Sequence, residues 1–322
     1  MDFLVSEKFD GWSVLDVMRR EMSMSHAMIK HLKFKDGGIT LNGEHVTVRG
    51  TVHTGDMLRF DAEDKVTPDK LTPSNIPLRI AYEDDDVVVP DKSADMPTHQ
   101  SFGHYGDTVA NALAHRYTSL GIPYVFRPVN RLDRNTSGLL LIARNRLCAA
   151  YLSEQMKDGN IKKAYVAVLR GKLENKSGTI DTYMRRTTQS IIVREVCDEH
   201  GGGDRAITEY CVLCESDTHT LVRATPITGR THQLRVHFSH LGCPIEGDDL
   251  YGAPSELIGR HALHSFMLSF PCRDGREITV SAPMHEDMRA LCDKVLGDAL
   301  STLDPRTRKL ILSSDEVQND EI

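Results

Sequence analysis

Between Lys162 and Pro226 the chain reads as one strand after another. "KKAYVAVLRG" (162–171), "GDRAITEYCVLCES" (203–216) and "HTLVRATP" (219–226) are rich in β-branched and aromatic residues. Parallel neighbours need a crossover of a dozen or more residues, usually a helix, and no helical spacing of apolar residues separates the last two runs. The succession therefore predicts an α+β domain with a mainly antiparallel sheet and argues against a doubly wound parallel one. Around it, "LRIAYEDDDVVVPD" (78–91) and "GLLLIAR" (138–144) read as further strands. "DTVANALAHRYTSLG" (107–121), "NRLCAAYLSEQMKDG" (145–159) and "THQLRVHFSHLG" (231–242) read as helices. Asn145 is placed to cap the second helix and Gly159 to stop it. In the third, Leu234, Phe238 and Leu241 form the apolar stripe, and Arg235 lies about 100° around the axis, toward a cleft lining.

A smaller α+β module is expected over residues 1–63. Trp12, Leu15, Met18 and Met22 fall at helical spacing. Ser25 is placed to cap a second helix through Leu32, on which His26, Lys30 and Lys33 share a face. "ITLNGEHVTV" (39–48) alternates with period two around Asn42-Gly43, a two-residue hairpin turn, and "VHTGDMLRF" adds a strand. Residues 64–77, with two Thr-Pro pairs, read as a linker, 78–300 as the main domain and 301–322 as a polar, acidic tail. A chain of 322 residues has room for this division. No apolar run approaches the roughly 20 residues of a membrane helix. The first residues lack a secretory pattern, and seven scattered Cys suit reduced thiols, so a cytoplasmic location without a membrane partner is expected, with a monomer as the default.

The net charge of −7 hides a sorting by region. From Phe126 to Lys172 there are ten Lys/Arg against three acids, and from Leu221 to His240 three Arg, three His and no acid. A polyanion meeting one face and an ordinary solvated surface both fit this. His232, His237 and His240 have poor spacing for a metal, "CVLC" (211–214) lacks a second pair, and "GGGD" (201–204) lacks the context of a phosphate-binding loop. No metal or nucleotide site is expected. "VNRLDRNTSGLLLIAR" (129–144) sets Asp133 between Arg131 and Arg134. A carboxylate near several Arg is held ionised, which suits a nucleophile or base; a loop-ordering ion pair would leave the same pattern.

Three ordered segments together resemble the RluA-type family of RNA pseudouridine synthases. "NRLDRNTSGLLLIAR" is similar to that family's His-Arg-Leu-Asp-x-x-Thr-Ser-Gly signature, "KKAYVAVLRG" to its Lys-x-Tyr-x-Ala segment, and "TPITGRTHQLRVHFSHLGCPIEGDDLYG" to its long third motif. The resemblance extends from about Leu78 to Pro283. The N-terminal module is similar to the small RNA-binding domain named after the fourth protein of the small ribosomal subunit. The resemblance implies cofactor-free isomerisation of uridine in structured RNA, with ribosomal RNA ahead of tRNA as substrate. Asp133 would be the essential carboxylate, attacking the anomeric carbon or removing the neighbouring sugar proton. Tyr165 would pack on the base and help remove its fifth-carbon proton. Arg235 would pair with Asp133, and Arg131 would fill the space vacated by the flipped uridine. Arg230, His232, Gln233 and Leu234 would line the substrate site, with His26, Lys30 and Lys33 adding phosphate contacts. Two positions depart from the pattern: Asn130 replaces the usual His, and "VPDKSADMPTH" keeps Lys92 but not the Pro-x-Gly turn.

Overall fold

The computed structural model describes residues 2–22, 24, 26–61 and 71–313. The N-terminal module holds β1 (Asp2–Leu4), β2 (Ile39–Leu41), β3 (Glu44–His45) and β4 (Met57–Phe60) in a four-stranded sheet of order β1-β4-β2-β3. Asn42 and Gly43 both take positive φ, 52° and 90°, and close β2 onto β3 as the sequence predicts. Against the sheet lie α1 (Val14–Asp16) and α2 (His26–Phe34). The helix expected from Gly11 to Met22 is only partly formed. After α1 the backbone widens into a π-type turn, Val17–Glu21, and Val14, Val17 and Met18 are buried while Trp12, Leu15 and Met22 are only partly covered. The widened turn rotates the apolar face away from the 3.6-residue stripe. The expected Ser25 cap lies outside the described residues. His26, Lys30 and Lys33 are all exposed on α2.

The antiparallel expectation holds in the main domain. Its strands are β5 (Arg79–Glu83), β6 (Val87–Lys92), β7 (Ser137–Leu139), β8 (Ile142–Ala143), β9 (Lys162–Arg170) and β10 (Ser177–Arg186). β11 (Arg194–Cys197), β12 (Asp204–Glu215), β13 (His219–Pro226), β14 (Leu263–Pro271) and β15 (Glu277–Ser281) complete the set. They form an eleven-stranded sheet of order β11-β10-β12-β13-β9-β14-β7-β6-β5, with β15 on β14 and β8 on β6. Among the described pairs only β7 with β14 is parallel. The helices are α3 (Val109–Ser119), α4 (Arg146–Lys157), α5 (Gln233–His240), α6 (Glu286–Leu296) and α7 (Pro305–Leu312). Thr108 and Asn111 form a reciprocal capping box on α3, and Asn145 Oδ1 accepts from Cys148 N at the start of α4.

β9 lies at the centre and is buried from Lys163 to Leu169, which is why it reads as an unbroken apolar run. The main core packs Leu113 and Tyr117 of α3, Phe238 of α5 and Leu291 of α6 against β9 and β13. Each such side chain contributes about 1.5–3 kcal/mol by leaving water. Leu241, expected in the α5 stripe, instead caps the helix and is 39% exposed. A second core sets Leu152 of α4 against β6, β7, β14 and β15. At the start of α4, Leu147 joins the core of the N-terminal module and Arg146 lies 2.9 Å from His31.

Two boundaries differ from expectation. Within the expected linker, Leu71 and Ile76 pack on the main core; residues 64–70 lie outside the described part. The tail begins as structure: Asp304 caps α7, Pro305 starts it, and Ile311 is fully buried in the main core. The acidic end, 314–322, is also outside the described part.

Candidate active site

The loop 130–136 is held from beneath by buried side chains. Asn130 Oδ1 accepts from Leu141 N at 2.7 Å, tying the loop to β7 and β8. Thr98 Oγ1 donates to Leu132 O at 3.0 Å, and Lys92 Nζ, fully buried, donates to Arg134 O at 2.8 Å. Arg260 donates to Asn135 O at 3.2 Å, and Thr136 Oγ1 lies 2.8 Å from His261 Nε2. Gly138 follows in β7 at φ +106°, where a Cβ would lie 2.2 Å from the Ser265 carbonyl oxygen; only glycine permits this contact with β14. Backbone satisfied on this scale is rigid, so the Asp133 side chain leaves the loop in one defined direction.

That direction is into a cavity of about 760 Å³ lined by Arg131, Asp133, Lys163, Tyr165, Arg230 and Arg235, among others. Asp133 is the sole acid among the described lining residues. The Arg fence dissolves. Arg134 turns outward to pair with Asp95, and Arg131 stands exposed at the cavity wall. The guanidinium that faces Asp133 is Arg235, whose Nη1 lies 3.5 Å from Oδ2.

Arg235 is fixed by a partner the sequence did not single out. Asp248, fully buried, accepts from its Nε and Nη2, both at 2.7 Å, and from the backbone N–H of Leu250 and Tyr251. The Tyr251 ring lies beneath the guanidinium, 5.1 Å from its centre. Burial pushes Arg235 down, but Asp248 and Asp133 more than offset it and hold the guanidinium above its usual range. Burial pushes Asp248 up, and Arg235 outweighs this, leaving its carboxyl below the usual range. One edge of the guanidinium is thus committed, and the other faces Asp133.

His232 adopts a left-handed backbone, φ 58°, at the start of α5. Its Nδ1 lies 2.8 Å from the Tyr251 hydroxyl and its Nε2 lies 3.9 Å from Asp133 Oδ2, while burial lowers its pKa and favours the neutral ring. Gln233 faces the cavity, but its amide is occupied: Oε1 accepts from Thr228 Oγ1 and Arg230 N, and Nε2 donates to Ile207 O and Thr208 Oγ1. Leu234 contributes a buried wall. Arg230 Nε donates to Arg205 O, with Nη1 3.9 Å from Asp204. Tyr165, opposite Ser265 across a bulge in β14, is 7% exposed; burial pushes its hydroxyl up to about 12. His26, Lys30 and Lys33 do not line the cavity. His237 bonds to Thr208 and Thr182.

A fold of this kind that carries a braced Asp–Arg pair into a cavity lined by Arg131, Lys157, Lys163 and Arg230 suits a polyanionic ligand. The family model described as RNA pseudouridylate synthase matches residues 86–240. The uncharacterized RNA pseudouridine synthase YjbO of Bacillus subtilis is 38% identical over 84% of this chain and 95% of its own. Ribosomal large subunit pseudouridine synthase D of Borreliella burgdorferi is 36% identical over 83% of this chain and 81% of its own. Among solved structures, human RNA pseudouridylate synthase domain containing 1 superposes with a TM-score of 0.56 at 30% identity, covering 67% of this chain and 87% of that one. The chain belongs to the RNA pseudouridine synthase family and is an isomerase acting on RNA.

Proposed function

We propose that the chain converts uridine to pseudouridine in ribosomal RNA in the cytoplasm as a monomer, using Asp133 as its essential carboxylate and no cofactor. The reaction breaks the bond from the sugar's anomeric carbon to N1, turns the base, and forms a bond from the same carbon to C5. The C5 proton leaves and N1 gains one. Composition is conserved, so no redox partner or group donor is called for.

The observation that carries this reading is a lone carboxylate at a fixed position. Asp133 meets Arg235 at 3.5 Å, and no second acid lines the cavity among the described residues. A glycoside-type hydrolase uses two carboxyl groups about 5–9.5 Å apart, one of them to manage water. A single ionised carboxylate suits attack on the anomeric carbon or removal of the neighbouring sugar proton, with the base retained for rebonding. Tyr165 packs against the base, and Arg131 at the cavity wall occupies the place left by the flipped nucleotide. The α2 face carrying His26, Lys30 and Lys33 adds phosphate contacts. Support for ribosomal RNA comes from relatives named large-subunit pseudouridine synthases.

The test is tritium release from ribosomal RNA labelled at C5 of uridine. Wild type releases label and Asp133→Ala does not; equal release by both removes Asp133 from the chemistry.

A further inference from the structure

Lys163 is a buried cation with no counter-charge among the described residues. It follows the cavity-facing side of β9, two residues from Tyr165 and therefore on the same face, and it is 9% exposed. The contact of its Nζ is the Met156 sulfur at 3.8 Å, and no carboxylate lies within ion-pairing distance among the described residues. Burial alone pushes the ammonium down. Its neighbour Lys162 points the other way and is exposed. Buried charges are otherwise paired, because an ammonium out of water without a partner costs several kcal/mol.

The surroundings specify the missing partner. A Cβ on Gly229 would lie 3.9 Å from Lys163 Nζ, so the ammonium sits beside bare backbone with no side chain between. Lys157 at the end of α4 and Arg230 beside Gly229 line the same wall. Beyond Arg230 a second cleft opens, lined by Arg185, Arg186, Arg194 and one acid, Asp204. Arg185 is paired with Glu195, while Arg186 and Arg194 have no carboxylate partner among the described residues. Cations thus continue from the cavity over the Gly229–Thr231 ridge.

We propose that Lys163 seats a backbone phosphate of the RNA at the target nucleotide, with the Arg230 ridge leading the adjoining strand toward Arg186 and Arg194. This rests on the functional reading above and adds to it the group that fixes the nucleotide in the cavity. The phosphate supplies the counter-charge that no described residue provides, and Gly229 keeps the approach open.

The test compares wild type, Lys163→Met and Lys163→Arg in tritium release from C5-labelled ribosomal RNA over a series of salt concentrations. Filter binding of the same RNA is measured in an Asp133→Ala background. Lys163→Met is expected to raise KM about tenfold with kcat nearly unchanged, and to lower the slope of log KM against log salt by about 0.7, the share of one phosphate contact. Lys163→Arg retains most of the binding. Unchanged KM and salt slope in Lys163→Met overturn the proposal, as does a loss confined to kcat, which would put the ammonium on the reacting base. If wild type releases no label but Asp133→Ala still binds RNA more tightly than the Asp133→Ala/Lys163→Met double variant, the functional reading fails and the phosphate seat stands. A thermal midpoint for Lys163→Met no lower than wild type supports a binding role; a lower one with unaltered salt slope counts against it.

Discussion

Replacing Asp248 by Ala removes the group that holds Arg235. Four hydrogen bonds disappear at once: two charge-assisted ones from the guanidinium at 2.7 Å and two from the Leu250 and Tyr251 N–H groups at 3.1 Å. The site is dry, with Asp248 fully buried and Arg235 4% exposed. Breaking one side of a buried ion pair costs about 3–5 kcal/mol. Asp133 at 3.5 Å and Asp249 at 3.8 Å remain near the guanidinium, which puts the expected loss at the lower end, about 3 kcal/mol. Urea unfolding should show this as a midpoint lowered by about 1 M. Loss of guanidinium alignment should lower kcat about a hundredfold. Because the folded-state pKa of Asp248 is depressed, its contribution is present above the ordinary carboxylate range and is lost as pH falls through the folded value. The stability gap between wild type and Asp248→Ala therefore closes in acid. The double variant Arg235→Met/Asp248→Leu should recover stability relative to Asp248→Ala while staying inactive, since apolar replacement of both partners removes the unpaired charge. A loss below about 0.5 kcal/mol in Asp248→Ala, or a double variant no more stable than the single, would refute the reasoning.

Gly138→Ala forces a Cβ into the Ser265 carbonyl at φ +106° and is expected to cost more than about 3 kcal/mol, read as a lowered urea midpoint or loss of soluble protein. Burial, followed by the Arg260 charge, pushes Lys92 down to about 7. The unfolded chain, with a lysine near 10.4, then binds more protons between those values, so wild-type stability gains on Lys92→Met as pH rises through that window. Denaturation midpoints at both ends check this, and an opposite trend contradicts it. Tyr165→Phe keeps the ring but removes a hydroxyl that stays protonated at neutral pH. If that hydroxyl assists proton removal, kcat falls about 10²–10⁴-fold with KM little changed, measured by tritium release.

Where the local code was strong, the structure follows the sequence. The capped α4, the Asn42–Gly43 hairpin and the succession β9, β12, β13 rest on side-chain period and turn chemistry that tertiary packing did not need to override. Asp133, Tyr165 and Arg235 were named through a resemblance across three distant motifs, and the fold gathers them around one cavity. Other features had ambiguous signals. Asp248 and Asp249 are adjacent acids, yet the first side chain is fully buried and the second 69% exposed, a choice made by the turn after α5. Lys162 and Lys163 differ in the same way, through strand phase. The α7 start at Asp304-Pro305 does carry a capping signal, but the polar residues around it conceal an anchor of buried Ile311 flanked by Leu310 and Leu312. The widened turn at Val17–Glu21 has no such mark, since the same residues satisfy a regular helical stripe.

Helix α4 links the N-terminal core to the cavity. Leu147 near its start is part of the N-terminal core, and Met156 and Lys157 at its end line the cavity that contains Asp133. Its twelve residues make a rod about 18 Å long. The helix therefore works as a ruler, setting how far the N-terminal core stands from the cavity that holds Asp133. Inserting one residue would lengthen the rod by about 1.5 Å and turn its far end by about 100°. On the function proposed above, an RNA held at α2 would then present its uridine out of phase with Asp133, although every side chain lining the cavity would be unchanged.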